Sequence, residues 1–561
     1  MGQADSSRTL DEVVITANRF PQKQQNTGKV VTVISKSVID KSAGLTLGEL
    51  LNQQAGITIV GANNTLGTNQ DVYLRGAATG NTLILIDGVP AYDPSTIAST
   101  FDLNHMPLDQ LERIEILRGA QSTAYGSDAV AGVINLITKQ QADKPANLYG
   151  TLAYGSFNTF RGLAGLRGQE GKTSYQLQYQ RFSSDGFSSA YDSTGSAGFD
   201  KDGFRQDVVN AAVQTMLSKK LQWRANGQWG RYRTDLDAAA FRDEKDFTAD
   251  NGNAQFGTGF TWKTEKLALH ANYNGNLSER RYLNDSIDKA GFSAYSREQY
   301  NGRAHFAELY GTARLNDAWR LLAGMDYRWQ NTDQRFYSIS AYGPYESELS
   351  ADSARINIYS VYGSAFLDTK KGFFLEAGGR YNRHNRFGDA FTFSINPSFL
   401  FRERWKAFLN VASAFKAPSL YQLFDASVGS RDLQPEKSIT YEAGMQYLQP
   451  SGNFNTRLVF FAREIRDGID FSYVDFRYFN NNNQRDRGLE WEGNYRKGKW
   501  RLTGNYTFVT GKVNTTKYVY DPNSYGYTAV GDTTYNNLFR RPKHSVNVSV
   551  SFQATDRLYV R

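Results

Sequence analysis

From residue 147 to residue 561 the sequence alternates apolar and polar residues in one stretch after another. In "LQWRANGQW" (221–229), "LALHANYN" (267–274) and "SVNVSVSF" (545–552), one face collects the apolar and small residues and the other the polar ones. Successive side chains of a strand point to opposite faces, so each stretch makes a strand with one apolar and one polar face. The sequence therefore predicts a large antiparallel β-structure over this part of the chain.

The connections between these strands are of two alternating kinds. Tight turns such as "SKKL" (218–221) and "KGKW" (497–500) alternate with long polar loops such as 183–206 and 234–256. Short turns at one end, long loops at the other and aromatic-rich strands are typical of an outer-membrane β-barrel. A bilayer accepts only helices or closed barrels, because an unpaired peptide group in hydrocarbon is costly. We therefore assign residues 145–561 to a barrel that crosses a membrane.

The segment before the barrel has a different pattern. Residues 21–144 read as a compact mixed α/β domain, with a helix predicted over 46–56 and a buried strand over 81–90. Residues 111–138 predict two strands joined by a glycine-rich loop. Residues 1–20 form a tail that carries a short β-branched strand for which the sequence offers no partner.

Composition argues against several classes of function. The net charge of +8 is spread without a basic block, so we expect no nucleic-acid binding. The five histidines are scattered, and the Ser-x-x-Lys pattern at 413–416 lacks its partner motifs, so we expect no enzyme. The first 20 residues lack the pattern of an export signal, so we expect any such signal to have been removed already.

Several motifs carry a resemblance to the TonB-dependent outer-membrane transporters. "DEVVITA" is similar to the TonB box of that family, and "LRGAATGNTLILIDGVP" and "IEILRGAQSTAYGSDAVAGVINLIT" are similar to its plug signatures. "AFKAPSLYQLF", "LQPEKSITYEAG" and "RGLEWEGNY" resemble its barrel signatures. Within the family, "TANRF", "FDKDGF" and "FKAPSLYQLF" are most similar to the cobalamin transporters.

This resemblance implies a fold and a location. The expected fold is mainly β: a large antiparallel transmembrane β-barrel, which has 22 strands in this family, with an N-terminal mixed α/β plug domain in its lumen. The expected location is the bacterial outer membrane, in contact with its lipid, as a monomeric barrel.

The resemblance also implies a function. The chain is expected to import cobalamin or a related corrinoid, driven by the TonB energy-coupling protein in the periplasm; a surface lipoprotein that helps capture the ligand is left open. Ferric-siderophore import by the same fold is the alternative. Haem import is less supported, because that branch usually has a histidine between "FKAP" and "PEK", and none lies between 418 and 435. A passive porin or adhesin is the third class, which the plug motifs argue against.

The resemblance further assigns three groups of residues. The TonB box, expected to add as a strand to a sheet edge of the coupling protein, is Asp11, Glu12, Val13, Val14, Ile15, Thr16 and Ala17. The ligand-binding residues at the plug apices are Asn63, Asn64, Thr65, Leu66, Tyr92, Asp93, Pro94 and Ser95. The cluster that locks the plug into the barrel is Arg75, Arg118, Glu436 and Glu490.

Two neighbouring long loops are rich in aspartate. Alternate carboxylates in "FDKDGF" and "TDLDAAAFRDEKD" could surround a hard cation such as Ca²⁺, and similar loop aspartates bind calcium in the cobalamin transporters. The expected ligands are Asp185, Asp200, Asp202, Asp237 and Asp246. A solvated acidic loop is the other interpretation. No further cofactor is expected.

The spacing of the tight turns gives a strand count. With the first strand at 147–157, the nine tight turns place the start of strand 19 at Leu558. Against 22 strands, this predicts that the mature protein continues past Arg561 by roughly 60–80 residues.

Overall fold

The computed structural model of the chain describes residues 13–561 apart from 43, 140–143, 197, 286–292, 473, 482, 523–525, 537, 539–540 and 557. Two parts follow one another along the chain. The N-terminal domain ends with a strand at Thr138, and a long antiparallel sheet begins at Asn147. The predicted boundary near residue 145 lies between these two strands and stays a prediction.

The N-terminal domain is built around a mixed sheet. Its elements are β1 (Val13–Val14), β2 (Gln22–Lys23), β3 (Val30–Ile34), α1 (Lys36–Asp40), α2 (Leu47–Asn52), β4 (Ile57–Val60), β5 (Asp71–Leu74), β6 (Thr82–Ile86), β7 (Val89–Pro90), β8 (Leu111–Arg118), α3 (Ser122–Tyr125) and β9 (Gly132–Thr138). The central sheet has the order β3-β8-β9-β6-β7, in which β6 and β9 run parallel. The predicted mixed α/β domain is confirmed.

The core of this domain joins the helices to the sheet. Leu50 and Leu51 of α2 belong to one buried cluster with Ile114 and Ile116 of β8. Helix α2 begins at a capping box, in which Thr46 and Glu49 each accept the other's backbone N–H, and this satisfies donors that a helix start leaves free. The helix ends at Asn52 rather than at the predicted residue 56.

The long sheet forms the wall of the barrel, and β26 and β27 form a separate two-stranded sheet in the loops. In chain order the strands are β10 (Asn147–Gly155), β11 (Thr159–Glu170), β12 (Thr173–Ser184), β13 (Phe204–Met216), β14 (Leu221–Asp235), β15 (Phe247–Lys263), β16 (Leu267–Asp285), β17 (Ser293–Arg314), β18 (Trp319–Ser340), β19 (Gly343–Leu349), β20 (Arg355–Asp368), β21 (Phe373–His384), β22 (Gly388–Phe401), β23 (Trp405–Lys416), β24 (Glu436–Leu448), β25 (Phe454–Arg466), β26 (Ile469–Ser472), β27 (Arg477–Asn480), β28 (Asn483–Lys497), β29 (Trp500–Asp521), β30 (Gly526–Tyr535), β31 (His544–Gln553) and β32 (Tyr559–Val560). One further helix, α4 (Leu420–Phe424), follows β23.

The polarity of the wall is the reverse of that in a soluble protein. On β12, Gln176, Gln178 and Gln180 are buried toward the plug, whereas Leu177 and Tyr179 are 53% and 46% exposed on the outer face. An apolar outer face and a polar lumen are what a barrel in lipid requires. None of the described helices is long and apolar enough to span a membrane.

The wall strands follow one another in chain order from β10 to β32. Strands β19 and β30 are hairpin arms, since β18 pairs with both β19 and β20 and β29 with both β30 and β31. Without these arms the nineteenth wall strand is β32, one residue from the predicted start at Leu558. Among the described residues no pairing joins β10 to β32. Continuation of the protein past Arg561 stays a prediction.

Candidate functional site

The N-terminal segment, which we define as residues 13–20, lies packed inside the plug. Val13 and Val14 pair antiparallel with Lys23 and Gln22, so the expectation of a strand without a partner is wrong for these residues. The strand has a partner because the chain turns back at 15–21. Val14, Thr16 and Ala17 are at most 1% exposed, so the predicted tail is part of the plug from Val14 onward. Asp11 and Glu12 lie outside the described residues.

Side chains of the plug form hydrogen bonds with the backbone of this segment. The Glu115 carboxylate accepts the N–H groups of Ile15 (3.1 Å) and Thr16 (2.8 Å). The Tyr125 hydroxyl donates to the Thr16 carbonyl at 2.7 Å, and Lys29 Nζ donates to the Ala17 carbonyl at 2.7 Å. Strand addition uses the same backbone groups. These hydrogen bonds must therefore break before residues 15–17 can join another sheet.

The end of the segment is fixed to the barrel wall. The Arg19 guanidinium forms an ion pair with Glu308 of β17 and donates to the Tyr362 hydroxyl of β20 at 2.6 Å. It also lies 4.7 Å from the centre of the Tyr310 ring. All of these groups are buried or nearly so, and buried charges are tolerated only when they are paired in this way.

Two arginines of the plug face a group of barrel glutamates. Arg75 forms ion pairs with Glu442 and, at 2.6 Å, with Glu490. Arg118 lies 3.2 Å from Glu492 and 3.7 Å from Glu490, and it donates to Thr32 at 2.6 Å. The two terminal nitrogens of Arg75 therefore reach two different barrel strands, β24 and β28. We call Arg75, Arg118, Glu442, Glu490 and Glu492 the ion-pair cluster.

Glycines let the barrel carboxylates approach the plug backbone. A Cβ at Gly56 would lie 1.9 Å from Glu490 Oε1, and a Cβ at Gly119 would lie 2.8 Å from both carboxylate oxygens of Glu442. Both glycines have positive φ, 72° and 82°, a conformation that other residues rarely adopt. The glycine after Arg118 in "LRG" therefore has a direct role, because it leaves room for the carboxylate.

The prediction that Glu436 helps to lock the plug into the barrel is wrong. Its Oε1 accepts the N–H of Ile469 at 2.7 Å in the loops, and no described contact joins it to either arginine of the cluster. Glu442 lies six residues further along β24 and Glu492 two residues beyond Glu490, so each shares the lumen face of the residue that was predicted. The period-2 pattern could have indicated both. Arg457 of β25, which forms an ion pair with Glu492, was also missed.

The two plug apices differ in what they expose. Asn63 and Asn64 are exposed at the first apex, whereas Thr65 is buried and Leu66 packs against the aromatic cluster of Phe182, Phe204 and Tyr232. A ligand-binding role for Asn63 and Asn64 stays a prediction.

At the second apex, the prediction that residues 92–95 face the ligand is corrected. Tyr92, Asp93, Pro94 and Ser95 are all buried. Asp93 accepts the Ser278 hydroxyl at 2.5 Å, and Arg280 donates to the Ser95 hydroxyl at 3.1 Å, so the barrel wall holds this turn. The residue that this apex exposes is Ile97, at 50%. Ile97 was not among the predicted ligand-binding residues.

The loops that precede β13 and β15 bring three aspartates together. Each of Asp200, Asp237 and Asp243 has a carboxylate oxygen within 4.8 Å of the other two. Burial and the neighbouring Asp243 raise the pKa of Asp200 to about 6. Asp237 is also partly buried, but the N–H groups of Ala190 and Glu244 and two serine hydroxyls hold its pKa below the usual value.

The other predicted metal ligands lie outside this group of three. Asp202 is buried and accepts the Ser189 N–H at 2.6 Å, and burial raises its pKa to about 6. Asp185 accepts a hydrogen bond from Asn158 at 3.4 Å, and Asp246 accepts the Asp285 N–H through its backbone carbonyl at 3.3 Å. The described acidic group therefore contains Asp243 in place of Asp185, Asp202 and Asp246.

The fold and its buried contacts define a class of protein: an outer-membrane barrel closed by a plug that is fixed to the wall through ion pairs. Comparison with known families agrees. Residues 23–133 match the TonB-dependent Receptor Plug Domain, and residues 179–560 match the family described as TonB dependent receptor-like, beta-barrel. The chain belongs to the TonB-dependent receptors, which bind a ligand, interact with TonB and transport across the bacterial outer membrane.

Individual relatives show the range of the family. The vitamin B12 transporter BtuB of Vibrio cholerae serotype O1 is 27% identical over 445 residues, which are 78% of this chain and 68% of that protein. The siderophore receptor PiuA of Acinetobacter baumannii has a TM-score of 0.78 at 16% identity, covering 99% of this chain and 89% of its own. The ferric enterobactin receptor PfeA of Pseudomonas aeruginosa has a TM-score of 0.70 at 18% identity, covering 94% and 84%.

The ion-pair cluster leads to a stability prediction. Glu442→Gln should lower the free energy of unfolding of the plug by about 3 kcal/mol, because it leaves Arg75 short of a buried counter-charge. The measurement is urea unfolding followed by a fluorophore on Val60→Cys, an exposed position at the end of β4 in a chain without cysteine. Glu436→Gln is the matched control and should change the midpoint little. Equal losses for the two variants would contradict the cluster.

The backbone contacts of Glu115 lead to a second prediction. Glu115→Ala leaves the buried N–H of Thr16 and the partly buried N–H of Ile15 without their acceptor, which favours release of the N-terminal segment by about 1–3 kcal/mol. A nitroxide on Ile15→Cys should give a sharper spectrum, that of a more mobile label, in this variant. Glu112→Ala, on the same strand, is the control. An unchanged spectrum would mean that Glu115 does not hold the segment.

Proposed function

We propose that this transporter imports cobalamin or a related corrinoid across the outer membrane. The observation that carries the proposal is the 27% identity to a vitamin B12 transporter, which extends over 78% of the chain and so includes plug and barrel together. Solved receptors for siderophores share the fold at 15–19% identity, a level that supports the fold alone. Ferric-siderophore import is therefore the competing function.

The chemistry of the outer loops and of the first apex supports a corrinoid. The exposed apex offers two side-chain amides, Asn63 and Asn64, which pair well with the amide groups around a corrin ring. The loops 185–203 and 236–246 hold eight acidic and three basic side chains, so they stay acidic even with one Ca²⁺ bound. Many ferric siderophores are anions, and an acidic entrance repels them. A bulky, largely uncharged ligand suits this surface better.

Coupling to TonB follows from the packing of the N-terminal segment. Ligand binding at the apices favours release of residues 13–20, and the released TonB box adds to a sheet edge of TonB in the periplasm. The energy comes from the inner membrane, because the outer membrane holds no ion gradient of its own. The barrel acts as a monomer, and a surface lipoprotein that presents the ligand fits the long loops.

Calcium ordering of the loops is part of the same proposal. Three carboxylates with oxygens within 4.8 Å of one another repel one another, and a hard cation with oxygen ligands relieves this repulsion. Asp237 already joins the two loops, since it accepts the Ala190 N–H at 2.6 Å and the Glu244 N–H at 3.0 Å. Ca²⁺ bound by Asp200, Asp237 and Asp243 would fix both loops before the ligand arrives.

The ligand can be identified by titration. Cyanocobalamin should quench the tryptophan fluorescence of the purified protein and bind at least about a hundredfold tighter than ferric enterobactin or a ferric hydroxamate, because polar mismatches in a fitted site cost several kcal/mol. Asn63→Ala with Asn64→Ala should weaken cobalamin binding. Asn453→Ala, in a tight turn at the opposite end of the barrel, should not. Tight binding of a ferric siderophore without cobalamin binding would overturn the corrinoid proposal.

The calcium proposal has its own measurement. Cobalamin affinity should fall by about tenfold when Ca²⁺ is replaced by a chelator, because the loops must then be ordered at the moment of binding. Asp200→Asn with Asp243→Asn should bind equally in both buffers, since the variant has lost the site. Asp246→Asn should keep the calcium effect. If wild type binds equally well in calcium and in chelator, the loops are acidic without being a calcium site.

A further inference from the structure

The outer face of the barrel carries an apolar groove of about 440 Å³. Strands β22 to β25 form most of it, near their ends at the tight turns. Its floor contains two small side chains, Ala407 and Ala443, and its borders include Phe399, Leu409, Met445 and Phe460. The four bordering side chains are each 45–56% exposed, so they stand out from the wall.

The strand register explains the shape of the groove. Ala407 pairs with Phe399 on one side and Met445 on the other. Ala443 pairs with Leu409 and Phe460. Opposed residues on one face of a sheet lie close enough for their side chains to touch. The two alanines are therefore diagonal neighbours, each flanked by larger side chains, and the depression runs obliquely across β23 and β24.

A proline interrupts the wall beside this depression. From Ser394 to Phe401, β22 pairs with β23 at every residue except Asn396 and Pro397. Proline has no N–H to donate to a ladder. Pro397 lines the groove, so the groove lies where the wall itself is less regular. At this gap the outer face of the wall differs from the regular lipid-facing surface on either side of it.

A basic rim lies below the groove. Lys370, Lys371, Arg402 and Arg404 are exposed in the two tight turns that precede β21 and β23, and they outnumber the exposed Glu403 between the arginines. Ala407 is three residues above Arg404, which corresponds to roughly 10 Å along a strand. Trp405 and Tyr447 form an aromatic pair at 4.7 Å between groove and rim. Such aromatic belts mark the level of the lipid headgroups.

We propose that this groove is a binding site for one glycerophospholipid of the periplasmic leaflet. One acyl chain lies over Ala407 and Ala443, and the phosphate contacts Arg402 and Arg404. The tight turns are at the periplasmic end of such barrels, so the available lipid is a phospholipid of the inner leaflet. The apolar floor fits hydrocarbon, and the basic rim fits the charge of the phosphate. The site would hold this lipid more tightly than lipids elsewhere around the barrel.

Filling the groove tests the site. The full chain is extracted in mild detergent, and the phospholipid that stays bound is counted by native mass spectrometry with added phosphatidylglycerol. Ala407→Phe with Ala443→Phe should lower the occupancy about tenfold, as loss of about two buried methylene groups would. The matched control is Ala377→Phe with Ala462→Phe, which adds the same bulk to the outer face outside the groove. Equal retention in both variants would overturn the proposal.

Removing the rim charges tests the head group without changing the wall. Arg402→Gln with Arg404→Gln should abolish the preference for phosphatidylglycerol over an uncharged diacylglycerol. Lys219→Gln with Lys220→Gln, in the tight turn between β13 and β14, should leave that preference intact. An unchanged preference in the arginine variant would overturn the assigned phosphate contact. Chains that pair through this face without phospholipid would identify a second copy as the occupant and overturn the lipid site.

Discussion

Hydrocarbon offers no partner to a peptide N–H or C=O, and the architecture follows from this constraint. The backbone of the long sheet satisfies its groups between neighbouring strands, so the side chains are free to present an apolar face to lipid. Every second residue then points into the lumen, where most of the buried side chains are polar or charged and have partners. A lumen lined largely by glutamine, asparagine, glutamate and arginine holds a folded domain mainly through hydrogen bonds and ion pairs, beside smaller apolar contacts such as that of Leu66 with Phe182, Phe204 and Tyr232. The plug is held in this way, by contacts that solvent does not reach.

A joint made of buried charges has a particular energetic character. Each ion in the cluster of Arg75, Arg118, Glu442, Glu490 and Glu492 is expensive to desolvate, and the pairing repays this cost only when all partners are present. The net contribution to stability is therefore small, whereas the penalty for breaking a single contact is large. The joint keeps one arrangement of plug and wall without making the plug impossible to move. Apolar packing over the same area is not directional, so it would stabilise many arrangements of plug and wall to a similar degree.

Much of the fold could be predicted because its signals are local. Period-2 alternation identifies the face on which each residue lies, and the turns identify the order of the strands. The start predicted for the nineteenth strand, Leu558, therefore lies one residue from the observed start of β32. The position of a residue along the barrel axis, relative to the plug, is not encoded by local sequence. Glu436 and Glu442 share a face but are separated by about 20 Å along β24, and only the position of the plug decides which one meets Arg75.

The remaining differences have a similar origin. The pairing of β1 with β2 involves only two residues on each side, too few for any sequence pattern to reveal. Asp243 replaces Asp246 in the acidic group because the fold of two long loops decides which carboxylates converge. The second apex is polar in sequence, but its polar groups are used by Ser278 and Arg280 of the wall, and only Ile97 is left facing outward.

The pairing of β1 with β2 also sets how this molecule responds to mechanical load. Because Val13 faces Lys23 and Val14 faces Gln22, a pull on the N-terminus opens this hairpin from its free end, one pair at a time. The next strand behaves differently: β3 lies against β8 with Val30 opposite Arg118 and Ile34 opposite Ile114, so a pull along β3 loads all five pairs together. Zippered bonds yield at low force, and bonds in shear resist it. Once the buried contacts of residues 15–19 with Glu115, Tyr125 and Glu308 have broken, the chain opens as far as Lys23 and then transmits force to the central sheet at the point where Arg118 joins it to the barrel.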